Sequence, residues 1–199
     1  MKFNPHELTA LLVAISFAAG LNVYATIATL GILARFDLLS LPSSLEIVTH
    51  WYVIGVCGFL FAVEFFADKI PAFDLIWNAL HTFVRIPVAA FLAYHATTNL
   101  PLWEQLSATA AGSAIALAAH GGKIAARAAV TPSPEPVSNS VLSMVEDAFV
   151  VFLIWFASKH PYSAAAIVAA CLLVIIVLIR WVIRAVRNLF VDAEHAMAK

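Results

Sequence analysis

The chain has 199 residues, 63% of them hydrophobic and 12% charged, with a mean hydropathy of +0.93 and a net charge of −1. A water-soluble domain is about half apolar and a quarter charged, so this composition excludes one and points to an integral membrane protein with no nucleic-acid partner. The apolar runs exceed the ~10-residue alternating strands of an outer-membrane barrel, which leaves an all-α, polytopic membrane helical bundle.

The first apolar segment covers about 9–35. Lys2 followed by LTALLVAISFAAG has the look of a signal peptide. The run continues to about residue 34, however, past the ~7–15 residues of a signal core, so it is read as the first transmembrane helix. Gly20, with the weakly polar stripe Asn22, Thr26 and Thr29, marks a packing or hinge position on it. The second segment, 50–67, ends on Glu64 and Asp68, one turn apart, then Lys69. Two close carboxylates raise each other's pKa and can bind a cation or share a proton. Alternatively, Asp68 and Lys69 are interfacial charges and Glu64 alone is buried.

The third segment, 72–97, carries Asp74, Asn78, His81 and Arg85 at spacings of 4, 3 and 4, a narrow stripe on one helix face. Each ionisable group costs ~2.5–3.5 kcal/mol at the centre of a span, so the stripe must face protein or water. It lines either a pathway or an internal salt-bridge lock. His81, between Arg85 and Asp74, is the candidate proton-sensitive group. Pro87, just beyond, removes a helix hydrogen bond and can free a carbonyl to line a cavity.

The fourth segment, 105–128, holds Gly112 and, further on, His120, Lys123 and Arg127 on one face beside Gly121-Gly122. The glycines permit close backbone approach or a break, and a break beside cations suits an anion. For Arg127 the plainer reading is a side chain that snorkels to the interface. The fifth segment, 141–157, brings Glu146 and Asp147, natural counter-charges for Lys123, Arg85 or Arg127. The sixth, 162–187, is apolar until Arg180, Arg184 and Arg187, which suit anionic headgroups. Cys57 and Cys171 lie within apolar runs and read as packing residues. No GxSxG, HExxH, P-loop or CxxC signature occurs, and no metal or other cofactor is expected.

LPSS, DKIP, NLP, TPSPEP and KHP separate the segments, each with a Pro, and Pro71 and Pro161 suit the first turns of the helices that follow. Six spans place Lys2, Lys69, Lys123, Arg127, Arg180, Arg184, Arg187 and Lys199 on one side, against Arg35 and Lys159 on the other. Both termini are then cytoplasmic by the positive-inside rule. The chain also resembles itself. Ala18-Ala19-Gly20 recurs as Ala110-Ala111-Gly112, and Ile32, Ala34 and Arg35 match Ile124, Ala126 and Arg127. Likewise Phe66-Ala67-Asp68-Lys69-Ile70-Pro71 matches Phe156-Ala157-Ser158-Lys159-His160-Pro161. The expectation is one membrane domain over 1–199, built of two inverted three-helix repeats at about 9–97 and 105–187, with an asymmetric polar site between them.

The stretches AAGLNVYATIA, EFFADKIPAFD, IWNALHTFVR, AHGGK and TPSPEP resemble a family of bacterial integral-membrane proteins, domain of unknown function 4126. The resemblance covers nearly the whole chain and implies membrane location without an activity. A looser likeness links the three-plus-three layout and Glu64 to Lys69 to the lysine-exporter and cation/proton-exchanger superfamily. There the exchangers carry Glu-x-Gly-Asp-Lys in each half; this chain has one extra residue and no Gly in the first half, and Ser158-Lys159 in the second.

Taken together, these features predict a small inner-membrane transporter or channel-like protein for an ion or small polar solute. Glu64, Asp68, Asp74, Asn78, His81, Arg85, His120, Lys123, Glu146 and Asp147 are its pathway candidates; Gly20, Asn22, Pro87, Gly112, Gly121 and Gly122 are its packing or hinge positions. The lipid bilayer and a second copy of the chain are candidate partners. A non-transporting scaffold with charges as structural locks is the main alternative, and a membrane-embedded lipid-modifying enzyme a further one.

Overall fold

Among the described residues seven α-helices follow one another: α1 (Pro5–Leu21), α2 (Val23–Arg35), α3 (Trp51–Ala67), α4 (Pro71–Ala96), α5 (Leu102–Val130), α6 (Pro136–Lys159) and α7 (Pro161–Met197). A short 3₁₀ helix over Ser43–Thr49 leads into α3. The structure is a computed structural model describing residues 4–130 and 136–197; side chains at 71–75, 128–139, 185–186 and 188–197 are not described. The TPSPEP turn through residue 135 and the Asp74 side chain therefore lie outside the described set. Pro71 and Pro161 open α4 and α7 as the sequence indicates, because a first-turn proline gives up no helix hydrogen bond.

Among the described residues three helical stretches are long and apolar enough to cross a bilayer: Ile76–Ala96, Ser140–Lys159 and Pro161–Arg184. The 3₁₀ helix and α3, bent by 60° at their junction, make a fourth if counted as one span. This is an all-α bundle with membrane-length apolar helices; length and composition alone do not pick out six.

The expected first span over 9–35 does not exist as one helix. Asn22 adopts an extended backbone (φ −147°, ψ 103°), ends α1 through its N–H to the Ala18 carbonyl, and starts α2 by accepting from the Ala25 N–H. The chain also reverses there. Along α1, Thr9 and Leu12 share a cleft with Thr97, Leu100 and Trp103. A Cβ on Gly112 would sit 2.8 Å from Ser16 Oγ and 3.0 Å from Ala93. Gly20 packs on Ala116. So α1 descends from the end that carries the 97–101 turn. Along α2, Tyr24 reaches His81, deep on α4, while Arg35 lies against Trp51 and the Thr49 carbonyl. The Ser44 hydroxyl, just beyond, donates to the His95 carbonyl. So α2 climbs back to the end it came from, and α1–α2 is a helical hairpin with Asn22 at its tip.

The remaining helices alternate in direction. Asp68 reaches Arg127 at the far end and Phe149 of α6 meets Phe17 on the way back. α7 then descends beside α5, with Ile175 against Gly122. The start of α1 and the end of α7 consequently lie at opposite ends of the bundle, whereas six crossings return them to the same one. One residue of extended backbone at Asn22, where a single unbroken helix was expected, turns α2 back along the bundle.

α5 runs unbroken through Gly121 and Gly122. Gly122 serves close approach: a Cβ there would come within 2.6 Å of Ile175 Cγ1. α4 likewise continues through Pro87. The apolar core sits around α1, where Leu11, Ile15, Phe17 and Ala18 meet Leu92, Ala119, Leu153 and Ile154. That core holds the hairpin in the bundle and delivers its tip to the level of the charged residues.

Candidate functional site

The hairpin tip faces a buried polar cluster drawn from four helices, α3 to α6. Glu64 and Arg85 are fully buried, and Asp68, Asn78, His81, His120, Lys123, Arg127 and Asp147 are all buried as well. Arg85 Nη2 pairs with Glu64 Oε1. Lys123 Nζ lies 2.9 Å from Asp68, 3.5 Å from Glu146 and 3.6 Å from Glu64. Arg127 Nη2 lies 2.8 Å from Asp68 and 3.3 Å from Glu146, and the Ser143 hydroxyl donates to Asp68. Desolvated charges survive only with such partners, since an isolated buried ion costs several kcal/mol.

The hydrogen bonds fix the state of His120 and place one proton of His81. A guanidinium only donates, so His120 Nδ1 accepts from Arg85 Nη1 at 2.8 Å. Its Nε2–H then donates to Thr82 Oγ1 at 2.7 Å, and that hydroxyl donates on to the Asn78 carbonyl. A carbonyl only accepts, so His81 Nδ1–H donates to the Trp77 carbonyl at 2.8 Å, and Nε2 shares a hydrogen bond with the Tyr24 hydroxyl at 3.0 Å. His120 is therefore neutral and protonated on Nε2, while the fixed proton of His81 is on Nδ1. His81 is held further by stacking on Trp77, ring centroids 4.3 Å apart.

The paired charges are Glu64, Asp68 and Glu146 against Arg85, Lys123 and Arg127, with the buried Asp147 carboxyl beside them. Asp147 is the odd one. Among the described residues no cation lies within ion-pair range of it. Its Oδ1 accepts from Asn22 Nδ2 at 2.9 Å, and its Oδ2 is buried without a hydrogen-bond partner. Asn22 thus spends its Oδ1 capping α2 and its Nδ2 on Asp147. The N-terminal end of α2 adds a partial positive charge there.

Set against the sequence, the Glu64/Asp68 pair, Asn78, His81, Arg85, His120, Lys123 and Glu146 come together at one level of the bundle. Arg127 does not snorkel; two carboxylates hold it inside. Asp147 belongs to the cluster but is not a counter-ion as expected. Lys69 stays outside it, over the Phe65 ring at 3.0 Å. Gly20 and Gly112 are packing residues of the α1–α5 interface. Sequence reasoning missed Tyr24, Thr82 and Ser143, whose hydroxyls complete the network, and missed that Asn22 caps a helix. An Asn within an otherwise apolar run was the available signal, since Asn favours helix N-caps.

Comparison with known proteins places this geometry in a family. The sequence profile of the Domain of unknown function (DUF4126) family matches residues 9–181, and the chain belongs to that family. No curated protein and no solved structure matches it, so the looser exchanger likeness gains no support. Family and apolar helices together mark a membrane protein.

Proposed function

We propose that this member of the DUF4126 family is a small transporter of the bacterial inner membrane, moving an ion or small polar solute in exchange with protons. The observation that carries this reading is the hairpin tip: a helix interrupted inside the bundle, set against a buried carboxylate that no described cation neutralises. Interrupted helices at membrane depth are tolerated where they are buried in protein or line a cavity, and transporters place substrate and coupling ions at such ends. Asp147 is the group that takes up the proton or a cation. The ion pairs around Lys123 form the rearrangeable part, since one ammonium faces three carboxylates within 3.6 Å.

Helix directions support an inverted relation between α2–α4 and α5–α7, with α1 folded back as an addition to the first repeat of a single membrane domain. Charge supports the orientation: Lys69, Lys123, Arg127, Arg180, Arg184 and Arg187 lie toward the cluster end, Arg35 and Lys159 toward the other. The cluster end is then cytoplasmic.

Purified protein in liposomes containing a pH-sensitive dye, challenged with gradients of Na⁺, K⁺, Cl⁻ and small ammonium ions, tests the proposal. At least one solute should drive proton movement in the wild type and none in Asp147→Asn. A wild type that moves no protons with any of them, or with tetraphenylphosphonium, overturns transport. The scaffold reading, favoured by the density of buried ion pairs, then stands; it expects cluster substitutions to lower stability alone.

A further inference from the structure

Asp147 faces a second environment besides the hairpin tip. On the flank of the bundle, α3 and α6 leave a groove of about 560 Å³ between them. Its wall on α6 is a single helix face, Met144, Asp147, Ala148, Val151, Phe152 and Trp155, at spacings of 3, 1, 3, 1 and 3. Phe61 and Phe65, one turn apart on α3, close the other side. The groove opens outward: Phe152 and Trp155 are 45% and 48% exposed. Every lining residue is apolar except Asp147. That residue is 5% exposed, and its Oδ2 has no partner.

An acyl chain or a neighbouring helix would satisfy the walls and leave the carboxylate unanswered. Charge complementarity asks for a cation. The aromatic walls ask for one with an apolar body, because ring faces attract diffuse positive charge and bury hydrocarbon at once. A hydrated metal ion would gain nothing from Phe61, Phe65, Phe152 and Trp155. We propose that this groove is the binding site for a small lipophilic organic cation, a protonated amine or quaternary ion, whose charge pairs with Asp147 while its body lies between the aromatic side chains of α3 and α6. This rests on the transport reading and names its substrate class: cation and proton would compete for one carboxylate, with entry from the side of the bundle.

The probe is radiolabelled tetraphenylphosphonium, measured by equilibrium binding to the full chain purified in dodecyl maltoside. Tetraphenylborate, the same shape with the opposite charge, is the competitor. The wild type should bind the phosphonium saturably, with little displacement by the borate. Asp147→Asn should weaken binding at least about tenfold, as loss of a charge-assisted contact does. Ala148→Trp should weaken it similarly by filling the groove from an exposed position, so it decides the matter even where the Asn variant fails to fold. Absence of saturable binding, equal competition by the borate, or wild-type affinity in Ala148→Trp overturns the proposal. Liposome assays keep the two readings apart. Phosphonium binding without any proton movement sinks transport and leaves the site. Asp147-dependent proton movement with inorganic ions, without phosphonium binding, sinks the site and leaves transport.

Discussion

Arg85 concentrates the energetics of the cluster in one side chain. It is fully buried, pairs with Glu64, and donates to Asn78 Oδ1 at 3.2 Å as well as to His120. Arg85→Ala leaves buried Glu64 with only Lys123, 3.6 Å away and shared with two other carboxylates, and should cost about 3 kcal/mol. Removing both charges, as Arg85→Met with Glu64→Gln, should recover much of that loss, because the desolvation penalty goes with the charges. Thermal unfolding in detergent measures both variants; equal losses would mean that the pair is not coupled. The histidine tautomers make a separate prediction. Long-range ¹⁵N correlation spectra should show His120 protonated on Nε2 and His81 on Nδ1 at neutral pH. Tyr24→Phe should cost about 1 kcal/mol by leaving His81 Nε2 unpartnered.

Helix ends carry the information at the next scale. Asn22 serves as stop and start together, so Asn22→Ala should cost about 0.5–2 kcal/mol through the lost cap. It also strips Asp147 of its one hydrogen bond, so the same variant should abolish any Asp147-dependent flux. The far end of α2 closes differently. Leu38 N–H returns to the Leu33 carbonyl at 2.8 Å and Asp37 N–H to Ala34 at 3.1 Å, with Asp37 left-handed at φ 56°. That arrangement favours glycine, so Asp37→Gly should leave stability unchanged or raise it by a few tenths of a kcal/mol. Glycines inside helices divide by surroundings. A Cβ on Gly31 would meet the Val48 carbonyl and lie 2.7 Å from Ile54 Cγ1, whereas one on Gly55 meets nothing. Gly31→Ala should therefore destabilise by about 1–3 kcal/mol, and Gly55→Ala should gain about 0.5–1 kcal/mol from helix propensity. A reversed order in unfolding midpoints would refute the packing of α2 on α3.

For the molecule as a whole, the hairpin decides topology. With α1 and α2 both anchored at the end that carries the 97–101 turn, the start of α1 and that turn share a side, and the end of α7 is on the other. Reporter fusions ahead of residue 5, within 97–101 and after residue 197 should report opposite, opposite and cytoplasmic. A cytoplasmic signal from the first fusion would restore an even number of crossings and dismiss the hairpin.

Composition by itself determined that the chain is helical and membrane-embedded, because a 63% apolar sequence in long unalternating runs has no other stable home. Spacing on single helices determined which polar residues share a face, since 3.6 residues per turn is local geometry: Asn78, His81 and Arg85 do point together, and so do His120, Lys123 and Arg127. What lies across from each face depends on contacts between helices far apart in the chain. That is why Glu64 was not seen as the partner of Arg85 and Arg127 was placed at the interface. The first helix shows the limit most plainly. Residues 9–35 are apolar enough to run on as one helix, and Asn22 is tolerated in either conformation. Only the tertiary structure supplies what tips the balance: an apolar bundle for α1 and α2 to pack against, and a buried carboxylate within 2.9 Å to occupy the Asn22 amide.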